Sequence, residues 1–571
     1  MPIVFLFAQP LSAGVLDDIG FTRLKQEQGD AISTGDRVAV AQSEALLSTD
    51  LYYPLTTNAD FAGKTFLQGS GPHGVSSHAT DVGQYFYGLS RSVSPGVTSV
   101  TNYTAVGWLN GDQLKTLSSQ LPAASVARVA NHSWISSGFG GEVLNSLQRM
   151  DWLVETDDFV QVAGVNNLSG GVEAPAALFA SAFNVITVGV STGNHSTGAT
   201  DLPFPPYTAA NRVRPHLVAP MNQTSFAAPL VASTATLLID LAIDHPGLSN
   251  GTQISSPGRN NRKINNGETS EVIRAALMAG ADRQAITQRS NGYVYDPSST
   301  SGLDPRFGAG QLDVYQSYHV VSGGEQDARE RGNVADIKMY GFDYEPSYVA
   351  GQARTYRFSV DEVSREFAAS LAWNVDIDLQ LANGVYQDQS VVLKNLNLLL
   401  RDVVTGQTIA SSNGGHDVTE NLYVPILGQG QYELAVSAAN YSVVNPWTVD
   451  YALAWRFAPS STPMMGDVNL DGTVSLIDLA QLQRNFNMTE RAVWTDGDLN
   501  GDGRVDRADV GMLAGTFGGG AIPQSLLAPI VGNSPGFAPR AIPEPSSVAL
   551  AMCGGLTLVV LSRRGRPCRQ R

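Results

Sequence analysis

The octet Asn222-Gln223-Thr224-Ser225-Phe226-Ala227-Ala228-Pro229 runs directly into an apolar stretch, Ser225–Ala242, that reads as a buried helix. A serine at that place has chemistry open to it. The N–H groups and positive potential of a helix start stabilise the oxyanion formed when its hydroxyl adds to a carbonyl. Ala227 and Ala228 are small enough to let such a helix approach its neighbours closely. A serine there also serves as an N-cap, and residue type alone does not separate the two roles. A second pattern is built from carboxylates. Asp467-x-Asn469-x-Asp471-Gly472 continues through Thr473 and Ser475 to Asp478, and recurs as Asp498-x-Asn500-x-Asp502-Gly503, then Arg504, Asp506 and Asp509. In such twelve-residue loops positions 1, 3, 5 and 12 supply side-chain oxygens and position 7 a backbone carbonyl, while glycine at 6 permits the sharp turn. An all-oxygen cage of this charge suits Ca²⁺, and the repeat predicts two ions.

The serine octet resembles the Gly-Thr-Ser-Met/Phe-Ala-Ala-Pro signature of subtilisin-like serine proteases, with Gln223 in place of the first glycine. That resemblance implies an acid–histidine–serine order along the chain. Ser77-His78-Ala79-Thr80-x-Val82-Gly83 is similar to the family's histidine segment and makes His78 the general base. His73, followed by Gly74, is the rival. Thr34-Gly35 and Val38-Ala39-Val40-Ala41 resemble the strand that ends in the family's catalytic aspartate, and its register lands on Glu44. Asp36 lies too early, before the strand. Phe159–Asn166 resembles the strand leading to the oxyanion amide, which implies Asn166, or its neighbour Asn167, as donor, with Val165 replacing a glycine. Asn131-His132-Ser133-Trp134 is similar to the strand that lies along an extended substrate, so Ser133 is a substrate-binding candidate. Glu271–Leu277 and Phe307-Gly308-Ala309-Gly310 resemble the family's closing helix and turn.

The carboxylate repeat resembles a dockerin domain over about 464–518, which implies two Ca²⁺ sites and a cohesin-like module as a candidate partner. Near the end, Ile542-Pro543-Glu544-Pro545 precedes an apolar run from Val548 to Leu561, and five arginines follow. The run is shorter than the ~20 residues that span a bilayer. It resembles a PEP-CTERM sorting tail, implying export to the cell envelope or beyond, a transient membrane stay and sorting machinery as a partner. Leu11-Ser12-Ala13 after apolar Ile3–Ala8 reads as the end of a signal peptide lacking its basic start, within a leader of residues 1–30, or else the apolar stretch is an ordinary buried first strand.

These sites need a scaffold. At 571 residues the chain predicts about four domains by a rule of roughly 150 residues each. Residues 31–322 alternate apolar β-type runs (Val38–Ala41, Val126–Ala130, Phe159–Val162, Asn184–Val190) with helices at Ser225–Ala242 and Ser270–Ala279. This predicts a parallel α/β sheet, with the polar Gly251–Asn266 as an exposed loop; the resemblance of the serine octet implies that the sheet is of subtilisin-like class. Over 340–460, Tyr432/Leu434/Val436 and Val449/Tyr451/Leu453/Trp455 repeat at period two and predict an antiparallel β-sandwich. A small helical dockerin-like module, a linker at 519–541 and a terminal apolar helix at 542–571 complete the expected order. The formal charge is −16, and removing the five terminal arginines leaves −21 on residues 1–562. Such a surface repels nucleic acid phosphates. Both cysteines, Cys553 and Cys568, lie in the tail, which excludes a disulfide framework or a cysteine zinc site elsewhere. The reading that unites these features is an exported serine endopeptidase using Ser225, His78, Glu44 and Asn166, with no cofactor for catalysis. Two alternatives stay open: a surface binding protein on an inactive protease scaffold, and a calcium-dependent assembly subunit.

Overall fold

The computed structural model describes residues 14–517, except 47–49, 137–140, 168–177, 200–201, 203, 209–210, 290–292, 361–364, 389, 459–465, 467, 469–473, 490–491, 493–495 and 500–503. The chain divides into two units, Met1–Gly518 and Gly519–Arg571. The second unit, with the expected linker and sorting tail, lies outside the described residues, as does the signal-peptide segment 1–13.

Two short helices open the fold, α1 (Val15–Asp18) and α2 (Phe21–Gln28). Ile19, Phe21 and Leu24 are buried in the main core here, so this part of the expected leader packs onto the fold. The first half then runs through β1 (Val40–Glu44), β2 (Leu51–Tyr53), β3 (Thr65–Gln68), β4 (Gly74–Val75), α3 (Ser77–Phe86), β5 (Ser99–Thr104), β6 (Val129–His132), α4 (Gly141–Asp157), β7 (Val160–Gly164), β8 (Ile186–Val190), β9 (Leu217–Ala219) and α5 (Thr224–Asp244). Seven strands form one parallel sheet in the order β3-β5-β1-β6-β7-β8-β9. The chain leaves β1 in one direction to build β5 and β3, then returns to its other side with β6. The strand order therefore reverses at β1, and the crevice beyond its carboxyl end is where such sheets place ligands.

Two of the strands, β1 and β6, sit two or three residues later than their apolar runs suggest. β1 continues through Gln42, Ser43 and Glu44, and β6 through Asn131 and His132, all buried. Hydrophobicity marks the neighbourhood of a strand, whereas pairing sets its ends and carries it on into polar residues that have partners of their own. The helix α5 keeps its expected extent because its apolar residues face the sheet on one side and other helices on the other. It is the one helix among the described residues long and apolar enough to cross a bilayer, yet 89% of that window is buried within the protein. Each leucine so buried contributes about 1.5–3 kcal/mol.

The expected loop at 251–266 is instead an antiparallel hairpin, β10 (Thr252–Ser255) and β11 (Arg262–Asn265). Its polar side chains pair outward: Arg262 donates to the Ser125 carbonyl at 2.9 Å. Then follow α6 (Ser270–Gly280), α7 (Gln284–Arg289) and α8 (Val314–Ser322).

The second half contains β12 (Tyr340–Val349), β13 (Arg354–Val360), β14 (Arg365–Ala372), β15 (Gln380–Ala382), β16 (Val385–Gln387), β17 (Asn395–Asp402), β18 (Thr408–Ser412), β19 (Thr419–Leu427), β20 (Gly430–Ala439) and β21 (Thr448–Ala458). Two four-stranded antiparallel sheets result, β12-β21-β14-β19 and β13-β20-β17-β18. Phe358 of one meets Phe367 and Phe457 of the other, with ring centroids 5.5 and 4.5 Å apart. The period-two residues of β20 and β21 are buried, as their alternation predicts, but Glu433 of β20 and Ala452, Ala454 and Arg456 on the other face of β21 are buried as well.

This half is joined to the first by buried polar contacts. Arg214 pairs with Asp417, and Arg456 on β21 donates to the Ala279 carbonyl of α6 at 3.0 Å. Arg274 on α6 donates to the Trp373 carbonyl at 2.6 Å. Last come α9 (Leu476–Asn485) and α10 (Arg507–Thr516).

Candidate active site

Glu44 ends β1 at the carboxyl edge of the sheet, beside the reversal point, and is 1% exposed. Its Oε2 lies 2.8 Å from His78 Nδ1. His78 occupies the first turn of α3, whose N-cap Ser76 accepts from the Ala79 N–H at 3.1 Å and so fixes where the helix begins. A carboxylate accepts only, so His78 donates its Nδ1 proton and turns Nε2 into the acceptor of the ring. Burial pushes the Glu44 carboxyl upward, opposed by hydrogen bonds from His78 and Gln42. The bond to Glu44 pushes His78 upward against its own burial. Burial takes His132 and His195 the other way, to about 4 each, because neither has a carboxylate partner to offset it. His73 is exposed and lies against Tyr53, ring centroids 4.1 Å apart, while Asp36 pairs with Arg37 on the surface.

Ser225 is the second residue of α5, half-buried, and its neighbour Phe226 has its ring centroid 5.9 Å from that of His78. The local sequence explains how the serine is held. Pro229 lies four residues on and has no N–H, so the carbonyl of Ser225 lacks its helical donor. The Ser133 hydroxyl supplies one, donating to that carbonyl at 2.8 Å, and Asn131 Nδ2 donates in turn to Ser133 Oγ at 2.9 Å. Ser133, expected to bind substrate through its backbone, thus uses its side chain to hold the turn of the nucleophile.

The positions where the sequence departs from the subtilisin-like signature are accommodated. Gln223 has φ −140° and ψ 146°, extended backbone open to any residue, and its side chain is exposed. Val165 is buried against Ala180. The glycine that matters is Gly164, since a Cβ there would come within 3.1 Å of the Thr224 carbonyl and crowd the start of α5, which would have to give by a few tenths of an ångström.

The two amides are placed differently. Asn166 is buried, its backbone N–H donating to Ser196 Oγ at 3.0 Å and its carbonyl accepting from Ser196 N at 2.8 Å. Asn167 Oδ1 accepts from the Thr224 N–H at 2.9 Å and from Thr224 Oγ1 at 3.1 Å. A backbone N–H can only donate, which fixes Oδ1 as the end of that amide that meets Thr224, the residue preceding Ser225, and makes the NH₂ its opposite, donating end.

In the C-terminal module, Asp467, Asn469, Asp471, Thr473, Asn500 and Asp502 lie outside the described residues. Among those described, Asp478 and Asp509 are fully buried and clasp their loops alike. Asp478 accepts from Val468 N (2.9 Å) and Ser475 N (2.8 Å), and Asp509 from Leu499 N and Asp506 N (2.8 Å each). Asp498 is buried, and Ser475 and Asp506 cap α9 and α10. Arg504 is exposed at position 7, where a loop of this kind uses only the backbone carbonyl. The donor set is oxygen throughout and fits a hard divalent cation.

Residues 465–517 match the dockerin type I domain. No curated protein matches the chain. Among solved structures it is similar to the prenylagaramide maturation protease PagA (16% identity, TM-score 0.31, covering 52% of this chain and 96% of that one). It is also similar to a serine protease of Aeromonas sobria (12%, 0.30, 74% and 88%) and to a cold-adapted subtilisin-like serine proteinase (15%, 0.30, 50% and 92%). Likenesses this distant do not bear on activity. The side chains at the sheet edge do.

Three parts of the site escape sequence reading: the tie from Ser133 to Ser225, the preference of the α5 start for Asn167, and the neighbours of Glu44. Only the first has a local signal, the proline four residues after the serine.

Proposed function

We propose that the chain is a serine endopeptidase. The observation that carries this reading is the Glu44–His78 hydrogen bond at the reversal point of the parallel sheet, next to a helix that begins at Thr224-Ser225. Ser225 adds to the scissile carbonyl while His78 Nε2 takes its proton, and the same proton then passes to the leaving amine. Glu44 holds the imidazole in the tautomer that leaves Nε2 as acceptor and stabilises the cation formed in the transition state. The Ser225 N–H and an asparagine amide receive the oxyanion. We assign that amide to Asn167, on its contact with Thr224, rather than to Asn166. The substrate runs as an extended strand beside Ser133, its backbone aligned by main-chain hydrogen bonds. Asn167→Ala is expected to lower turnover by roughly 10²–10³ with little change in KM, and Asn166→Ala to cost far less. Steady-state kinetics on a fluorogenic peptide separate the two, and the reverse ranking would return the role to Asn166.

The dockerin-matching module binds Ca²⁺ in this reading. Asp467, Asn469, Asp471 and Asp478 would hold one ion and Asp498, Asn500, Asp502 and Asp509 the other, with the carbonyls of Thr473 and Arg504 and the side chains of Ser475 and Asp506 completing the loops. The ion supplies the charge that lets several carboxylates share one small loop, so the module folds around it. With calcium at a hundredfold excess over Kd at both sites, the folded-to-unfolded ratio of residues 465–517 is expected to rise about 10⁴-fold, roughly 100-fold for each ion. Limited proteolysis of the full chain, with and without chelator, reads this as protection of α9 and α10. Equal cleavage in both conditions would remove calcium from the account. A cohesin-like module is the protein partner proposed for this part, and the sorting tail is proposed to take the chain through export to the envelope.

A further inference from the structure

Behind the acid lies a polar chain that catalysis by Ser225, His78 and Glu44 does not by itself require. Gln42 stands two residues before Glu44 on β1, hence on the same face, and is fully buried. Its Nε2 donates both protons, one to Glu44 Oε1 at 2.9 Å and one to the Ala79 carbonyl at 2.8 Å. Its Oε1 accepts from the Tyr87 hydroxyl at 2.6 Å. Tyr87 is fully buried as the C-cap of α3, and room for its hydroxyl exists because residue 83 is glycine: a Cβ there would lie 2.5 Å from it.

The direction of every bond in this chain is determined. A carbonyl can only accept, so the Ala79 contact fixes which end of the Gln42 amide is nitrogen, and Tyr87 must then donate to the oxygen. The positive end of the amide dipole therefore points at Glu44. Gln42 also joins β1 to both ends of α3, at Ala79 next to the base and at Tyr87 beyond its last turn. Burying an amide and a phenol in an apolar core costs several kcal/mol unless each polar atom is paired, and here each is.

We propose that Gln42, backed by Tyr87, is a positioning residue that fixes one oxygen of Glu44 and ties the acid strand to the helix of the base, so that the other oxygen meets His78 Nδ1. The need follows from the acid being glutamate. Its side chain has one more rotatable bond than aspartate, so more rotamer freedom must be frozen to hold its carboxylate in place. With Oε1 held by Gln42, Oε2 has one place to go. This inference rests on the proposed triad, and the ionisable groups around it are His78 and Asp81 on α3, Tyr87 itself, and Tyr53 on β2.

The test is a titration of His78 in the full-length protein, followed through its Cε1–H resonance and assigned by its loss in His78→Gln. In the native chain the bond to Glu44 holds His78 above its ordinary 6.5. Gln42→Leu is expected to lower that midpoint by about one unit, a tenfold change in proton affinity, because Glu44 is no longer held against Nδ1. Tyr87→Phe, which removes one hydroxyl and keeps the ring, is expected to move it the same way by less. With a peptide substrate, both variants lower kcat while KM stays near the native value. A His78 midpoint unchanged in folded Gln42→Leu, or in Tyr87→Phe should the first not fold, overturns the proposal, since a merely structural role alters stability and not this titration. Labelling of native Ser225 by a fluorophosphonate is measured alongside. A shifted His78 with an unlabelled Ser225 would keep the positioning role and remove the reaction it serves.

Discussion

Alanine in place of Ser225 is expected to lower peptide hydrolysis by on the order of 10⁶ in turnover and to abolish labelling by a fluorophosphonate. The size of the effect follows from the roles in the site. Without the hydroxyl there is no nucleophile for His78 to activate, and what remains is binding and the oxyanion donors. Glu44→Gln keeps the shape of the acid and the bond to Gln42 within reach, but it replaces the charge that faces His78 Nδ1 across 2.8 Å. A loss of roughly 10⁴ is expected there, from the wrong tautomer and an uncompensated imidazolium. The measurement is intact mass and peptide mapping of the calcium-loaded full chain after labelling. Stoichiometric modification at Ser225, absent in Ser225→Ala and slowed in Glu44→Gln, establishes an activated serine. A folded native chain that stays unlabelled moves the reading to a binding protein on a protease-like scaffold.

Asp417→Ala is expected to destabilise the protein by about 3–5 kcal/mol, although Asp417 belongs to the antiparallel half and touches no catalytic group. Arg214 is fully buried, just before β9, and its guanidinium donates to Asp417 as well as to the carbonyls of Ala180, Val213 and Ala182. Removing the carboxylate strands a cation in the dry seam between the two halves. Replacing both partners, Arg214→Met with Asp417→Leu, is expected to recover most of the loss, because the penalty comes from the unpaired charge rather than from the missing pair. Urea midpoints of Ser225 labelling report it, and a single variant as stable as the native chain would show that the seam does not hold the catalytic half together. Burial works against the ionised form of Asp417, but Arg214 and Arg212 hold its carboxyl well below the usual range. Its contribution is therefore present above the ordinary aspartate value and is lost only as pH falls through the depressed one. Mild acid should leave the seam closed.

Much of the site is legible in the order of residues alone. The octet around Ser225, the His78 segment and the register to Glu44 are local patterns, and a helix start or a strand end carries its chemistry within a few residues. The alternation in β20 and β21 likewise predicts one buried face of each, since the period of a strand is a property of the backbone, whereas the burial of the second face of β21 comes from the fold. The calcium loops are similar, because all of their oxygens come from twelve consecutive residues. Other features have no such local signature. Gly251–Asn266 reads as a polar loop and is a hairpin, for an exposed strand pair needs no apolar stripe. Residues 15–28 read as part of a leader, and only the fold shows Ile19, Phe21 and Leu24 buried in its core.

Residue types and their spacing thus name the groups that could perform the chemistry and the order in which they come. How those groups are held is a property of the fold. Gln42 and Tyr87 lie 45 residues apart, Ser133 and Ser225 lie 92 apart, and Arg214 and Asp417 lie 203 apart. A buried polar group is tolerable only when a partner reaches it, and that partner is supplied by folding, from wherever in the chain the sheet brings it. Composition has no way to name it in advance.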